Sequence, residues 1–284
     1  MANAIIAYQN RIDESTFASY GSWEASLPLT NLKNRTLSKV ARSTDDANAS
    51  TKFRFSLTKD RIVGVVAVVN HNLSTTATWR YRVYSDSGYS TLAYDSGTLD
   101  VWPVMPAGYF EWEDDGFWGM KTPEEDRELF TATTIHVPTS TVVETYYQVE
   151  FFDTSNPDGY VQMGRVFVGK KYQPTINMSL GASVGYESRT LIDEAISGAE
   201  YFDRRNSVRV SRFSLGLLDS SDSSLNADLM KIQDTDQEVV FVYDADDTIG
   251  ISRKSFLGRL RSLSPIEQPY TTTYQTNYEI KELL

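Results

Sequence analysis

Ile62-Val-Gly-Val-Val-Ala-Val-Val69 is the longest apolar run in the chain, and its reading decides the rest. It is too short for a bilayer-crossing helix, which needs about 20 residues. Rich in β-branched residues and bounded by Asp60-Arg61 and Asn70-His71-Asn72, it predicts a strand buried on both faces. The stretches on either side alternate instead. Lys52-Phe-Arg-Phe-Ser-Leu57 places every second residue inward. Thr78-Trp-Arg-Tyr-Arg-Val-Tyr84 sets Trp79, Tyr81 and Val83 on one face and Arg80 and Arg82 on the other. Further strands are expected at Thr133–Val137, Thr141–Phe152 and Tyr160–Val168. Turn signals stand at Asp86-Ser-Gly88, Asp95-Ser-Gly97 and Asn156-Pro-Asp-Gly159. With no helical crossover pattern between them, the strands predict an antiparallel sandwich rather than a parallel sheet.

At 284 residues the chain has room for about two domains. Gly169-Lys-Lys-Tyr-Gln-Pro174 marks the expected division, because Pro174 cannot continue a central strand. The reading is residues 1–170 as a sandwich domain and residues 171–284 as a smaller β-rich (α+β) domain. In the second, Val208–Leu218 and Glu238–Tyr243 are expected strands. Ser221–Gln233 is the expected helix, with Leu225, Leu229 and Ile232 on its buried face and Ser221, Asp222 or Ser223 as its cap. The terminal segment Tyr270–Ile280 alternates, placing Tyr270, Tyr274, Tyr278 and Ile280 on one face. It has few charges and no Pro or Gly, so it is either a central strand or an edge that pairs between subunits.

The chain carries 27 Lys+Arg, 38 Asp+Glu, two histidines and no cysteine, for a net charge of -11. The acidic balance argues against a nucleic-acid partner, which would call for clustered Lys and Arg. Without cysteine there are no disulfides, thiolate metal sites or cysteine nucleophile. The start of the chain shows neither a basic segment nor an apolar run long enough for a signal peptide, so ordinary secretion and membrane insertion are not expected. Eight acids and two bases fall within Glu111–Glu128, which holds the first domain's whole net excess. Trp112, Phe117 and Trp118 are interleaved with them, and Trp102 and Tyr109 lie just ahead. Aromatics among carboxylates can stack on sugar rings and accept hydroxyl protons, which makes Trp102, Trp112, Phe117 and Trp118 candidate glycan contacts. The preferred reading of the same segment is an insertion loop that packs its rings on the sandwich or on a neighbouring subunit.

Enzyme chemistry finds little footing, and no catalytic, cofactor or metal residue is assigned. No GxxxxGK[ST], GxGxxG or GxSxG pattern occurs. Glu124-Glu125-Asp126 and Asp244-Ala-Asp-Asp247 are expected to face solvent. His71 is expected in a polar loop, and His136 is expected to point outward or to meet a cross-strand partner. Asp153-Thr-Ser-Asn-Pro-Asp-Gly159 has oxygens at calcium-like spacing but lacks the bidentate Glu of an EF-hand, so a hairpin turn is favoured.

Four stretches follow an order that resembles discoidin-type (galactose-binding-like) jelly rolls: Trp23–Leu32, Lys39–Ser43, Phe53–Leu57 and Arg61–Asn72. The usual Asp-Leu-Gly of that family is here Ser56-Leu-Thr58. Over nearly its full length the chain also resembles structural proteins of the tail tip or baseplate of tailed bacteriophages, of the distal-tail type. Leu27–Leu32, Asn70–Ser74 and Gly164–Gly169 carry the likeness in the first module. Arg212–Leu215, Val240–Asp246, Ser255–Leu260 and Tyr278–Leu283 carry it in the second. The resemblance implies a virion part made in the host cytoplasm, with no enzymatic activity. Such a part would assemble with itself into a six-fold or three-fold ring and dock other tail proteins. Residues 171–284 are the expected ring-forming part, with Tyr270, Tyr274 and Tyr278 on a candidate inter-subunit strand. The alternative is a carbohydrate-binding module for attachment to host-surface glycan.

Overall fold

The computed structural model describes residues 2–113, 117–123, 127 and 130–284. The fold is mostly β, and every strand pair in it is antiparallel. The first ten strands are β1 (Ile5–Tyr8), β2 (Thr16–Ala18), β3 (Ala41–Arg42), β4 (Lys52–Val63), β5 (Val65–His71), β6 (Thr78–Tyr84), β7 (Leu92–Asp100), β8 (Thr133–His136), β9 (Val142–Phe152) and β10 (Gln162–Tyr172). Then come β11 (Ser183–Glu187), β12 (Leu191–Glu194), β13 (Glu200–Asp203), β14 (Val208–Leu218), α1 (Ser220–Gln233), β15 (Glu238–Val242), the single turn α2 (Ile251–Lys254), β16 (Phe256–Leu260), β17 (Glu267–Tyr270) and β18 (Thr273–Glu282).

The apolar run at Ile62–Val69 is not one strand. It breaks at Gly64, where the chain leaves the five-stranded sheet β2-β4-β9-β6-β7 and enters the larger one. Gly64 donates to the Gly169 carbonyl at 2.8 Å. A Cβ there would fall 2.6 Å from Lys171 Cγ and 3.0 Å from the Lys171 amide nitrogen, so the corner favours glycine. Beyond the corner, β5 is buried on both faces as expected, and the reason is visible in its neighbours. Val66 and Val68 pack with Phe53, Phe55, Trp79, Tyr147 and Phe151 between the two sheets of a jelly-roll sandwich. Val65, Ala67 and Val69 pack the other way, against Ile5, Phe167, Val240 and Leu257.

The two parts of the chain share one sheet. Strand β1 pairs with β10 on one side and β15 on the other, joining sandwich strands to those of the second part. The path runs β11-β14-β18-β16-β15-β1-β10-β5-β8. Strand β10 continues through Lys170 and Lys171 to Tyr172, with Pro174 just beyond it. A third apolar cluster, with Phe213, Leu229, Phe241, Phe256 and Tyr278, lies under α1.

Three local expectations need correction. Asp95-Ser-Gly97 is not a turn between strands but a bulge inside β7, where the pairing with β6 shifts and Gly97 takes φ +68°. Helix α1 buries Asp222, Asn226, Leu229, Met230 and Gln233, leaving Leu225 and Ile232 exposed. Its buried polar stripe is satisfied. Asn226 donates to the Tyr172 hydroxyl at 2.6 Å and accepts from the Tyr278 hydroxyl, and Gln233 donates to the Glu238 carbonyl at 2.7 Å. The cap is Asp219, which accepts from the Asp222 amide at 2.7 Å. The Tyr270–Ile280 segment splits into a hairpin between β17 and β18.

Candidate interaction surfaces

Strands β11 and β14 pair up to Glu187 and Val208. Past that point the same two chains continue outward as a second, separate ladder, β12 with β13, in register from Leu191 opposite Asp203 to Glu194 opposite Glu200. The result is an arm whose tip, Ile196, lies nine residues beyond Glu187, a reach of about 30 Å at strand spacing. Every residue of β12 and β13 is exposed. Leu191, Ile192, Tyr201 and Phe202 are each between 50% and 65% exposed, and Ile196 is fully exposed. Gly198, at φ +79°, makes the turn. An isolated two-stranded hairpin is marginal in water at best, and a cluster of large apolar side chains on one is a surface that wants cover.

A second exposed surface lies on the long connection after β7. Trp112 and Trp118 are 69% and 77% exposed and stand edge to face at 5.9 Å. Phe117 completes the group at 5.2 Å from Trp118 and 6.1 Å from Trp112. Trp102 does not join them. It is buried, donates its indole N–H to the Leu73 carbonyl at 3.0 Å and meets the His71 ring edge-on at 5.7 Å. The fixed indole and its burial make it a core residue. Of the acidic segment around these rings, Glu111 and Glu113 are exposed; Asp114, Asp115, Glu124, Glu125, Asp126 and Glu128 lie outside the described residues.

The tyrosines of the terminal segment are divided. Tyr270 is exposed on β17. Tyr274 is half-buried, and Tyr278 is buried against Phe213 at 5.4 Å. Strand β18 runs between β14 and β16, with β17 along the start of the β16 side. Its hydrogen-bonding edges are thus occupied inside the chain rather than left for a neighbour.

The histidines and turn carboxylates are structural in their placement. His136 meets the Tyr94 hydroxyl at 2.9 Å, and burial holds its pKa down at about 4. His71 is not in a loop: it ends β5 and is buried. Burial, with Arg127 adding to it, lowers its pKa to about 3, and neither ring nitrogen has a hydrogen-bond partner among the described residues. Asp153 accepts from the Ser74 amide at 2.9 Å, the Ser74 hydroxyl at 2.5 Å and Asn156 Nδ2 at 2.8 Å, which ties down the Asp153–Gly159 turn. Asp244 does not face solvent; it is buried and accepts from the Ala2 and Asp246 amides at 2.9 and 3.0 Å. Among the described residues no three His, Cys, Asp or Glu side chains group as metal ligands, and no helix is long and apolar enough to cross a membrane.

The arm was not anticipated from sequence. Its strands are four residues long and two of the four residues in each are acids, which hides them from a search for alternating apolar runs. The available signal was Ser197-Gly198 set between Leu191-Ile-Asp-Glu194 and Glu200-Tyr-Phe-Asp203.

No protein-family model matches the chain, and no curated protein matches it either. Among solved structures it is similar to the family 32 carbohydrate-binding module of C. perfringens NanJ in complex with galactose. That likeness has 12% identity and a TM-score of 0.37, covering 58% of this chain and 99% of that one. It is also similar to a mutant of the lectin binding domain of Lectinolysin complexed with Lewis b, at 13% identity and TM-score 0.36, covering 58% and 98%. A third is a family 32 module from a family 31 glycoside hydrolase of Clostridium perfringens, at 13% identity and TM-score 0.35, covering 57% and 99%. The fold assignment rests on the strand pairings themselves.

Proposed function

We propose that this chain is a non-catalytic structural protein that joins copies of itself into a closed assembly and docks other proteins. The biological setting that the sequence resemblance implies is the tail tip or baseplate of a tailed bacteriophage. The observation that carries the reading is the β12–β13 arm. It extends beyond the sheet, belongs to no apolar core cluster among the described residues, and exposes Leu191, Ile192, Ile196, Tyr201 and Phe202. Burying side chains of this kind fully is worth about 1.5–3 kcal/mol each, so the arm gains most by finding a partner surface. The buried acids support a structural role too, since Glu238 and Glu282 are held by Arg165 and Arg209 inside the fold.

Replacing residues 191–202 by a short Gly-containing turn and measuring mass by sedimentation tests this reading. A folded single copy is expected where the intact chain forms a multiple; an unchanged multiple would remove the arm from the account.

A second reading has an observation of its own. The exposed rings of Trp112 and Trp118, with the half-buried Phe117 against them, form a platform suited to stacking on a sugar face, which supports attachment to host-surface glycan. Retention on immobilised glycans, lost in the Trp112→Ala/Trp118→Ala variant, would favour it.

A further inference from the structure

At the root of the arm lies a cavity of about 800 Å3. Its described lining holds four arginines, Arg127, Arg204, Arg205 and Arg209, and one acid, Glu282. Glu282 is already taken by Arg209, at 2.5 Å. Arg204 makes no hydrogen bond or ion pair among the described residues, and Arg205 reaches only its exposed neighbour Asp203, at 2.8 Å. An exposed pair of that kind is weak and easily exchanged. His71 lines the same cavity, buried, with both ring nitrogens lacking a hydrogen-bond partner among the described residues. An orphaned buried N–H is costly until an acceptor arrives. The cavity therefore offers positive charge and an unmet donor, with Phe130 and Tyr186 as apolar walls.

The arm carries the complement. From Thr190 to Asp203 there are four acids and no base, and Asp193, Glu194 and Glu200 cluster around the apolar tip. Glu200 is four residues along an extended strand from Arg204, about 13 Å, so the tip cannot fold back into its own root.

We propose that the acidic tip of one copy's arm is received in the arginine-lined cavity at the root of a second copy's arm. This rests on the self-assembly reading above and names its contact. Tip and root are different surfaces, so the contact is heterologous: it passes from copy to copy and closes into a ring where the rotation allows. Asp193, Glu194 and Glu200 face Arg204, Arg205 and His71, while Ile196 lies against Phe130 and Tyr186.

Two full-length variants test it. One reverses the tip (D193K/E194K/E200K) and the other reverses the root (R204E/R205E). All five side chains are exposed, and circular dichroism checks that each variant folds. The expected result is that each variant alone sediments as a single copy, whereas an equimolar mixture associates again with the two variants alternating, because each reversed surface meets its opposite. A root variant that assembles like the native chain would overturn the proposal while leaving the self-assembly reading intact. So would a mixture that stays apart. If the root variant keeps its mass but loses binding of the intact protein to sialyllactose, the cavity serves an acidic sugar instead and the proposal falls. A native chain that is a single copy throughout would sink the underlying reading itself.

Discussion

Arg165 and Glu238 face each other across the joint between the two parts of the chain, with Arg165 Nη2 2.5 Å and Nε 3.0 Å from Glu238 Oε1. Arg165 belongs to β10 and Glu238 to β15, and β1 lies between those strands. Arg165 is fully buried and also reaches Asp13 at 2.8 Å and the Leu32 carbonyl at 2.8 Å. One guanidinium thus fixes the shared sheet, the sandwich entrance and the second part in one register.

Removing one member of this pair is expected to cost up to about 3–5 kcal/mol, because Glu238 is left buried with no cation, or Arg165 is left buried with only the exposed Asp13 to balance it. Glu238→Ala should lower the denaturation midpoint strongly and keep a single transition. Arg165→Met with Glu238→Leu should recover much of the loss, since a packed apolar pair avoids the desolvation that the charges bear. Urea titrations of the four proteins check both statements.

Acid sensitivity follows from the two histidines. Both have folded pKa values depressed below the ordinary 6.5, to about 3 for His71 and about 4 for His136. The unfolded chain therefore binds protons that the folded chain refuses, and stability falls as the pH drops below 6.5. Each histidine contributes up to about 1.4 kcal/mol per pH unit until its folded pKa is reached. The chain has no other histidine and no cysteine, so the slope between pH 6.5 and 5 is expected to flatten in the His71→Leu/His136→Phe variant. A slope unchanged in that variant would contradict the assignment.

Trp112→Ala and Trp118→Ala should leave stability within about 0.5 kcal/mol of native, because both rings are largely in water already. The double variant should also keep the native mass in solution. Thermal melts and sedimentation of the same sample measure the two outcomes together.

Much of the sandwich was legible because its strands bury one face: Trp79, Tyr81 and Val83 alternate with arginines, and β6 has the expected bounds. The corner at Gly64 was not legible, since a run buried on both faces has no period to show where it changes sheet. Helix α1 misled for a different reason. Its inward face is made of Asp222, Asn226 and Gln233 as much as of Leu229, and apolar spacing alone picks out the exposed Leu225 and Ile232. Burial of those polar residues depends on Tyr172, Tyr278 and Glu238, which are distant in sequence. Trp102 and Trp118 could not be told apart either, as the same residue type serves a core and a surface. The acidic arm was hidden by its shortness.

The most direct measurement is the mass of the intact chain in solution, followed by native mass spectrometry across a dilution series. The account predicts a discrete closed multiple that falls to single copies as salt is raised, because its contact is charged and exposed at the rim. A single copy at every concentration and salt would contradict it.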